Sequence, residues 1–318
     1  MVNKIQGKNS RNPLVSVIIT TYNRQEYIVD TIQCVIRQTY KNIEIIVIDD
    51  GSNDRTYSLL RLYRDTGMIH YIYQQRSERS RARNNGFRHS KGVYIAFLDS
   101  DDLWEESKIA EQVAVLESKP DIGIVYTDVI IIDKEGEVSK ENITWDKPKR
   151  AALYEDLMTN NVITGSISSC MIRRTCLEKV GLFDETMITW EDLDLWRRLA
   201  HYYLFYKINK PLTRFRMHGD NTQNKNSLMA DGIEQILLKI AHQTPLQYQD
   251  YKTEAIARLL YRLAMLRVRE KRFDKFIMYI FKSIWQQNQI VNFTLFSHGI
   301  KKKLWKYLFF FLCIIVVV

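Results

Sequence analysis

The sequence carries none of the familiar phosphate cradles. It has no GxxxxGK[ST], and no GxGxxG follows its first apolar run, so neither a P-loop ATPase nor a dinucleotide-dependent dehydrogenase is supported. Its six histidines form no HExxH pattern and no zinc spacing. Its four cysteines, Cys34, Cys170, Cys176 and Cys313, form no CxxC pair and read as reduced thiols of a cytosolic protein. The opening stretch MVNKIQGKNSRNP is polar and lacks the apolar core of a signal peptide, so residues 1–13 are expected to be flexible. No apolar run is long enough to cross a bilayer. The longest candidate, from Tyr307, continues for about 12 residues, ~18 Å as a helix against a ~30 Å hydrocarbon layer. Internal repeats, low-complexity linkers and recognised DNA- or RNA-binding motifs are also missing.

Against these absences stand a sizeable apolar fraction and a clear excess of positive charge. Hydrophobic residues make up 46% of the 318, enough for a substantial core. The net charge of +9 suits an anionic partner such as a phosphate-bearing ligand, an anionic membrane face or nucleic acid. The charge is clustered: at Arg76, Arg79, Arg81, Arg83 and Arg88; from Arg258 through Arg262, Arg267 and Arg269 to Lys271 and Arg272; and at Lys301, Lys302 and Lys303, beside the most apolar stretch.

Apolar runs alternate with amphipathic segments through the first part of the chain. VSVIITTYN, IEIIVIDDGS, MIHYIYQ and VYIAFLD read as buried strands, and EYIVDTIQCVIRQT, RTYSLLRLYRD, SERSRARNNGFRHS and EESKIAEQVAVLES as helices. Asn53 or Asp54 is placed to cap the second helix. This rhythm predicts βαβ units and a parallel sheet covered on both faces. Farther on, IGIVYTDVIIID with KEGE reads as a strand and turn, and TGSISSCMIRRT as a strand of small residues. TWEDLDLWRRLAHY reads as a helix with Leu193, Trp196 and Leu199 on one face, and FYKINKPLTRFRMHG as a strand bent or placed at an edge by Pro211. From Asn226 the pattern is almost wholly helical.

Parallel strands end at one edge of a sheet, and ligands bind in the crevice outside those ends. Three polar clusters fall at predicted strand ends: Thr20-Thr21-Tyr22-Asn23, Asp49-Asp50-Gly51-Ser52 and Asp99-Ser100-Asp101-Asp102. The last sets three carboxylates almost in contact. Each pair at ~6 Å and an effective dielectric of ~20 costs on the order of 3 kcal/mol. Full solvation, shared protons or a bound cation would offset that repulsion; with no phosphate cradle in the sequence, a divalent cation shared with a nucleotide diphosphate is the expectation, and hard oxygen ligands suit Mg²⁺ or Mn²⁺. On a strand, Asp99 and Asp101 share one face. Asp102 is placed to cap a helix at LWEES.

The segments VSVIITTYNR, IEIIVIDDGSNDRT, SRARNNGFRHSKGVYIAFLDSDDLW and TWEDLDLWRRL, in this order, resemble the family-2 inverting glycosyltransferases of the GT-A fold, of the bacterial surface-polysaccharide type. The resemblance runs from about Leu14 to Asp220. It implies an α/β fold: a doubly wound, mixed but mainly parallel sheet with helices on both faces, and a helical C-terminal annex. The expected organisation is a glycosyltransferase domain over residues 14–224, a helical region over 225–300 and a basic-apolar tail over 301–318.

The resemblance also implies roles. The family moves a sugar from a nucleotide diphosphate sugar, most often UDP-linked, to a hydroxyl acceptor. Tyr22 resembles the residue that stacks on the base, with Thr20 beside it, and Asp50 the carboxylate that accepts the uracil imide N–H. Asp99 and Asp101 form the DxD signature: Asp101 the direct ligand of Mn²⁺ or Mg²⁺, Asp99 the partner of ribose or metal. His218 resembles a histidine placed near diphosphate and metal, and Arg83 an arginine near the donor phosphates. Asp192 matches the base that takes the acceptor proton, and Glu191 the group that binds acceptor hydroxyls or orients the site. Thr164, Gly165 and Ser166 precede a strand and are expected to meet the donor sugar.

The C-terminal LWKYLFFFLCIIVVV, with Lys301 to Lys303 ahead of it, reads either as a final helix packed on the core or as a tail that touches an anionic membrane surface, and the second is the expectation. This places the protein in the cytoplasm at the inner membrane face, with a glycan or lipid-linked acceptor and no nucleic acid. A polyprenyl-phosphate glycosyltransferase is the alternative enzyme reading, and a nucleotide- or nucleic-acid-binding protein without catalysis the alternative outside enzymes. A polymerising synthase is disfavoured, since LDLWRRLA lacks a QxxRW pattern.

Overall fold

The computed structural model describes residues 12–139, 153–158, 160–163, 166–219, 221–222 and 225–291, apart from the side chains of 166 and 287–291. Its sheet begins with β1 (Val15–Thr21), β2 (Ile43–Asp49), β3 (His70–Tyr73) and β4 (Tyr94–Asp99). These are the four predicted apolar runs. They pair in parallel in the order β3-β2-β1-β4, so the three polar clusters end on one edge. The sheet continues through β7 (Cys170–Arg173), β6 (Ile122–Ile132), β8 (Leu204–Arg216) and the two-residue β5 (Leu103–Trp104). β7 is antiparallel to both β4 and β6, and this makes the sheet mixed. Pro211 sits on β8 opposite Asp128, where the register with β6 slips. A proline cannot donate to the ladder there.

Side-chain alternation on β1 divides the core. Val15, Val17 and Ile19 face α1 (Ile28–Ile36), α2 (Thr56–Asp65) and α4 (Lys108–Ser118). Ile18 faces the opposite layer, which contains α6 (Arg174–Val180), α7 (Glu191–Ala200) and α5 (Tyr154–Leu157). α3 (Arg79–His89) is mostly polar and lies close on the sheet because of Gly86, where a Cβ would stand 2.3 Å from Ile18 Cγ2. Without that approach Arg83, one turn earlier, would not reach the end of β4.

The annex consists of α8 (Asn226–Gln243), α9 (Gln249–Arg269) and α10 (Phe273–Val291). Ile233, Ile236 and Ile240 of α8 and Leu259 and Leu263 of α9 join Leu193, Trp196 and Leu199 of α7 in one apolar cluster. The annex therefore packs directly on the helix that begins with Glu191-Asp192.

Three local expectations are corrected. The first half of the small-residue segment is a 3-10 turn over Ser166–Ser169, and only Cys170–Arg173 is strand. β4 stops at Asp99 and Asp101 lies in a turn, closed by the Asp102 N–H on the Asp99 carbonyl (3.1 Å). Leu103 and Trp104 leave to pair with Arg214 and Thr213, so the two carboxylates do not share a strand face. Asp102 caps no helix: its buried carboxyl accepts from Ser168 Oγ (2.6 Å) and the Arg216 N–H (3.0 Å), and α4 starts only at Lys108. Asp54 does act at the start of α2, accepting the Thr56 N–H at 2.9 Å.

Candidate active site

The ends of β1, β2 and β4, the N-termini of α3 and α7, and the cleft-facing side of α8 and α9 enclose a cleft of about 850 Å³. Thr20, Tyr22, Asp50, Arg83, Asp99, Asp101, Glu191 and Asp192 all line it. Thr164 and Gly165, expected at the donor sugar, lie outside the described residues, as does the side chain of Ser166.

At one end, Tyr22 exposes its ring and the Arg76 guanidinium lies 3.8 Å from the ring centroid. Arg76 also donates to Asp50 at 2.7 Å. Asp50 is buried and accepts further hydrogen bonds from Gln74 Nε2 (2.7 Å), from the Ser77 N–H and hydroxyl (2.9 Å each) and from the Glu78 N–H (2.9 Å). Asp50 thus ties the loop after β3 to the end of β2. Nearby, among the described residues, the buried Thr21 hydroxyl has no hydrogen-bond partner.

In the middle, Asp101 Oδ2 meets His218 Nε2 at 3.0 Å and Arg24 Nε at 3.4 Å. Tyr27 stacks on the His218 ring at 5.3 Å and fixes its plane. Burial works to raise the Asp101 carboxyl; His218 and Arg24 override it and hold the group below the usual carboxylate range. Asp102, buried beside Asp101 and Asp99, is pushed well above that range. Asp99 turns away from this pair: its Oδ1 accepts from Arg83 at 2.7 Å. Among the described residues no group of three or more His, Cys, Asp or Glu side chains is gathered around a metal position. Asp101 and His218 instead offer one carboxylate and one imidazole, which fits an ion that completes its shell with substrate phosphates.

At the far end, Trp190 takes a left-handed backbone (φ 63°) and releases Glu191 and Asp192 into the first turn of α7. The two side chains point to different environments, as adjacent helix positions about 100° apart require. Glu191 is buried and accepts from Arg83 at 2.7 Å; burial pushes its carboxyl up, while Arg79 and Arg83 act to lower it. Asp192 is partly exposed in the cleft and accepts from Asn161 Nδ2 at 2.8 Å. Arg83 is buried between its two carboxylates. Desolvation works against its charge, and Asp99 and Glu191 outweigh it.

Four participants did not emerge from sequence reasoning. Arg76 and Arg262 belong to basic clusters visible in the sequence, but nothing there distinguishes a ring-stacked arginine from an exposed one. Arg24 follows the first polar cluster directly. Asn161 carries no signal, since only tertiary contact makes it the partner of Asp192.

Residues 16–181 match the profile of Glycosyl transferase family 2. An uncharacterized glycosyltransferase of Rickettsia typhi is 33% identical over 223 residues, 68% of each chain. TuaG of Bacillus subtilis, whose name assigns it to teichuronic acid biosynthesis, is 30% identical over 64% of this chain and 79% of its own. WfaP of Escherichia coli, named a UDP-Glc:alpha-D-GlcNAc-diphosphoundecaprenol beta-1,3-glucosyltransferase, is 42% identical over 33% of this chain and 42% of its own. Two solved structures share the fold at a TM-score of 0.59. They are S. aureus TarS 1-349 in complex with UDP-GlcNAc (14% identity; 86% of this chain, 92% of that one) and a Pyrobaculum calidifontis mannosyltransferase in complex with GDP-Man and Mn²⁺ (19%; 86% and 75%). The sheet, the helices on both its faces and the helical annex are those of a GT-A-like α/β fold, and the family match covers more than half of the chain: the protein belongs to Glycosyl transferase family 2 and is a glycosyltransferase.

Proposed function

We propose that the protein is an inverting transferase that moves a sugar from a UDP-sugar to a hydroxyl of a lipid-linked glycan during cell-surface polysaccharide assembly. The observation that carries this reading is that Asp101, in the turn after β4, and Asp192, at the start of α7, line one cleft with Tyr22 and Asp50. The names of WfaP, with its UDP-Glc donor and diphosphoundecaprenol carrier, and of TuaG support the donor and acceptor classes.

The base stacks on Tyr22, on the face that Arg76 holds in the free protein; displacing Arg76 also frees the Asp50 Oδ2 site it occupies, which then accepts the imide N–H. The unpartnered Thr21 hydroxyl is available to the same nucleotide. Asp101 and His218, 3.0 Å apart, would hold Mn²⁺ or Mg²⁺; the Mn²⁺ named with the mannosyltransferase neighbour supports a divalent ion. When bound, the ion neutralises charge on the diphosphate. Asp192 accepts the proton of the acceptor hydroxyl as that oxygen bonds to the anomeric carbon. The bond from that carbon to the diphosphate oxygen breaks in the same step, and its electron pair leaves with UDP. Asn161 orients Asp192; Arg83 and Glu191 position the base from behind rather than touching substrate.

The annex presents this site to the membrane. Phe273, Ile277, Met278, Phe281 and Trp285 form an exposed stripe on α10, flanked by Arg272, Lys275 and Lys282. The stripe includes one exposed carboxylate, Asp274, which Arg272 pairs; the apolar residues with Lys275 and Lys282 suit an anionic lipid surface. Among the described residues no helix is long and apolar enough to cross a membrane, and the 301–318 tail lies outside them.

The test is a screen of donor hydrolysis across UDP-, dTDP- and GDP-sugars, with Mn²⁺, Mg²⁺ or chelator. The expected result is turnover of a UDP-sugar that requires the ion and is lost in Asp101→Ala. Equal turnover in chelator, or in Asp101→Ala, overturns the metal-assisted scheme.

A further inference from the structure

Opposite the acidic rim, the annex wall of the cleft carries three cations. Arg262, Met265, Leu266 and Arg269 follow the i, i+3, i+4, i+7 spacing of one face of α9, and Lys225 stands just ahead of α8. Among the described residues no carboxylate lies within ion-pair distance of Lys225, Arg262 or Arg269. The other arginines nearby are treated differently. Arg267 is buried among Asp231, Glu234 and Glu270, at 3.1, 2.8 and 2.8 Å, and Arg258 pairs with Glu254. On α9, therefore, Arg258 and Arg267 are neutralised by carboxylates, whereas Arg262 and Arg269, which line the cleft, are not.

The place of Arg262 relative to the base is fixed by contacts. Arg262 lies 4.6 Å from the Trp190 ring centroid and donates to Asn160 at 3.1 Å. Trp190 and Asn160 adjoin the Glu191-Asp192 pair and Asn161, the residue that holds Asp192. Arg262 therefore belongs to the wall that carries the base; Arg269 continues the same face of α9 along the cleft, and Lys225 lines the cleft just beyond Thr222, which Arg79 holds. In a single displacement the base stands on the acceptor side, opposite the departing nucleotide. Met229, Met265 and Leu266 add apolar surface between the charges.

We infer that Lys225, Arg262 and Arg269 form an acceptor subsite for a phosphodiester or diphosphate group. Two guanidinium forks and an ammonium offer more positive charge than a single carboxylate needs, and guanidinium geometry matches phosphate oxygens. The subsite rests on the transferase reading above and assigns the acceptor its chemistry: a hydroxyl-bearing group linked to phosphate, with an apolar portion against the methionines.

The probe is farnesyl diphosphate, titrated calorimetrically into the full-length protein saturated with UDP and Mg²⁺. Farnesol and inorganic pyrophosphate are titrated in parallel, and UDP is titrated alone. Farnesyl diphosphate is expected to bind with an affinity that falls as salt rises. It should weaken at least tenfold in Arg262→Gln/Arg269→Gln and less than twofold in Arg258→Gln, which removes an ion-paired charge from the same helix. Arg269→Gln alone, at an exposed position, gives an intermediate loss and guards against misfolding of the double variant. Saturable binding of pyrophosphate supports the anion subsite without the lipid. No binding of farnesyl diphosphate, equal binding of farnesol, or equal losses in the double variant and Arg258→Gln overturns it. The UDP titration reports separately: failure there removes the donor reading, whereas loss of farnesyl diphosphate binding in the double variant still supports the subsite.

Discussion

Arg83 and Glu191 meet at 2.7 Å although 108 residues separate them in the chain, and the same guanidinium reaches Asp99 at 2.7 Å. One buried cation therefore ties the end of β4, two residues before Asp101, to the start of α7, which carries Asp192. Replacing it with Met leaves two carboxylates without their partner. Breaking a buried pair in this way typically costs about 3–5 kcal/mol. Arg83→Met is expected to unfold at correspondingly lower denaturant. Arg83→Lys should recover most of that stability but little of the turnover, because an ammonium lacks the fork that spans both oxygens. Chemical unfolding measured beside transfer rates separates the two effects; full turnover in Arg83→Lys contradicts the bridging role.

Asp192→Asn removes the base with almost no change of shape. Transfer is expected to fall roughly 10²–10⁴-fold, the range for loss of a general base. UDP affinity should stay within about twofold, since the nucleotide is held at the other end of the cleft. Single-turnover kinetics with a competent acceptor read the first quantity and UDP titration the second. Retained transfer places the base elsewhere.

Gly232 lies on α8, where alanine would favour the helix by about 0.8–1.0 kcal/mol on propensity alone. A Cβ there would stand 2.1 Å from Thr189 Oγ1 and 2.5 Å from Trp190 Cδ1. Gly232→Ala is therefore expected to lower stability despite its propensity. It should also lower kcat more than it weakens UDP binding, because the displaced turn is the one that presents Asp192. A more stable, fully active variant would show that α8 has room to shift.

Lys108 is wholly buried, donates to Gln112 at 2.8 Å and lies 3.9 Å from the Trp104 ring centroid. Burial pushes its pKa down to about 7 from an ordinary 10.5. Between those values the unfolded chain holds a proton that the folded protein has released, so stability rises with pH through this window. The slope is at most about 1.4 kcal/mol per pH unit. Below about pH 7 both states are protonated and the desolvation cost is felt in full. Unfolding free energies from pH 6 to 10 should show this rise relative to Lys108→Met, and parallel profiles would refute it.

Phe281→Ser with Trp285→Ser is expected to reduce cosedimentation with phosphatidylserine-containing vesicles at least tenfold, given the ~0.8 kcal/mol contributed by each buried methylene. Soluble-donor hydrolysis should be unaffected, because both side chains sit on the exposed face of α10. Unchanged sedimentation would remove α10 from the membrane contact.

Much of the fold was legible because it rests on local periodicity. Apolar runs such as VSVIITT and IEIIVID have only one way to be buried on both faces, and the helices between them announce their apolar stripes. The expectation failed where short-range pattern met long-range pairing. TGSISS looks extended, yet its Ser168 is held by Asp102 and Trp104. Asp102 looks like a cap, yet it was drawn inward by Ser168 and Arg216.

By itself the sequence determined the alternation of strands and helices, the three polar strand ends and the residue types needed at the site, since each follows from spacing along one segment. Tertiary structure alone decided which of those residues face one another: that Asp99 turns to Arg83 while Asp101 turns to His218, that Asn161 holds Asp192, and that Arg262 and Arg269 face the cleft with no carboxylate partner among the described residues. Charge partnership depends on distances across the folded core, and a one-dimensional pattern does not encode which distant carboxylate a given arginine will reach.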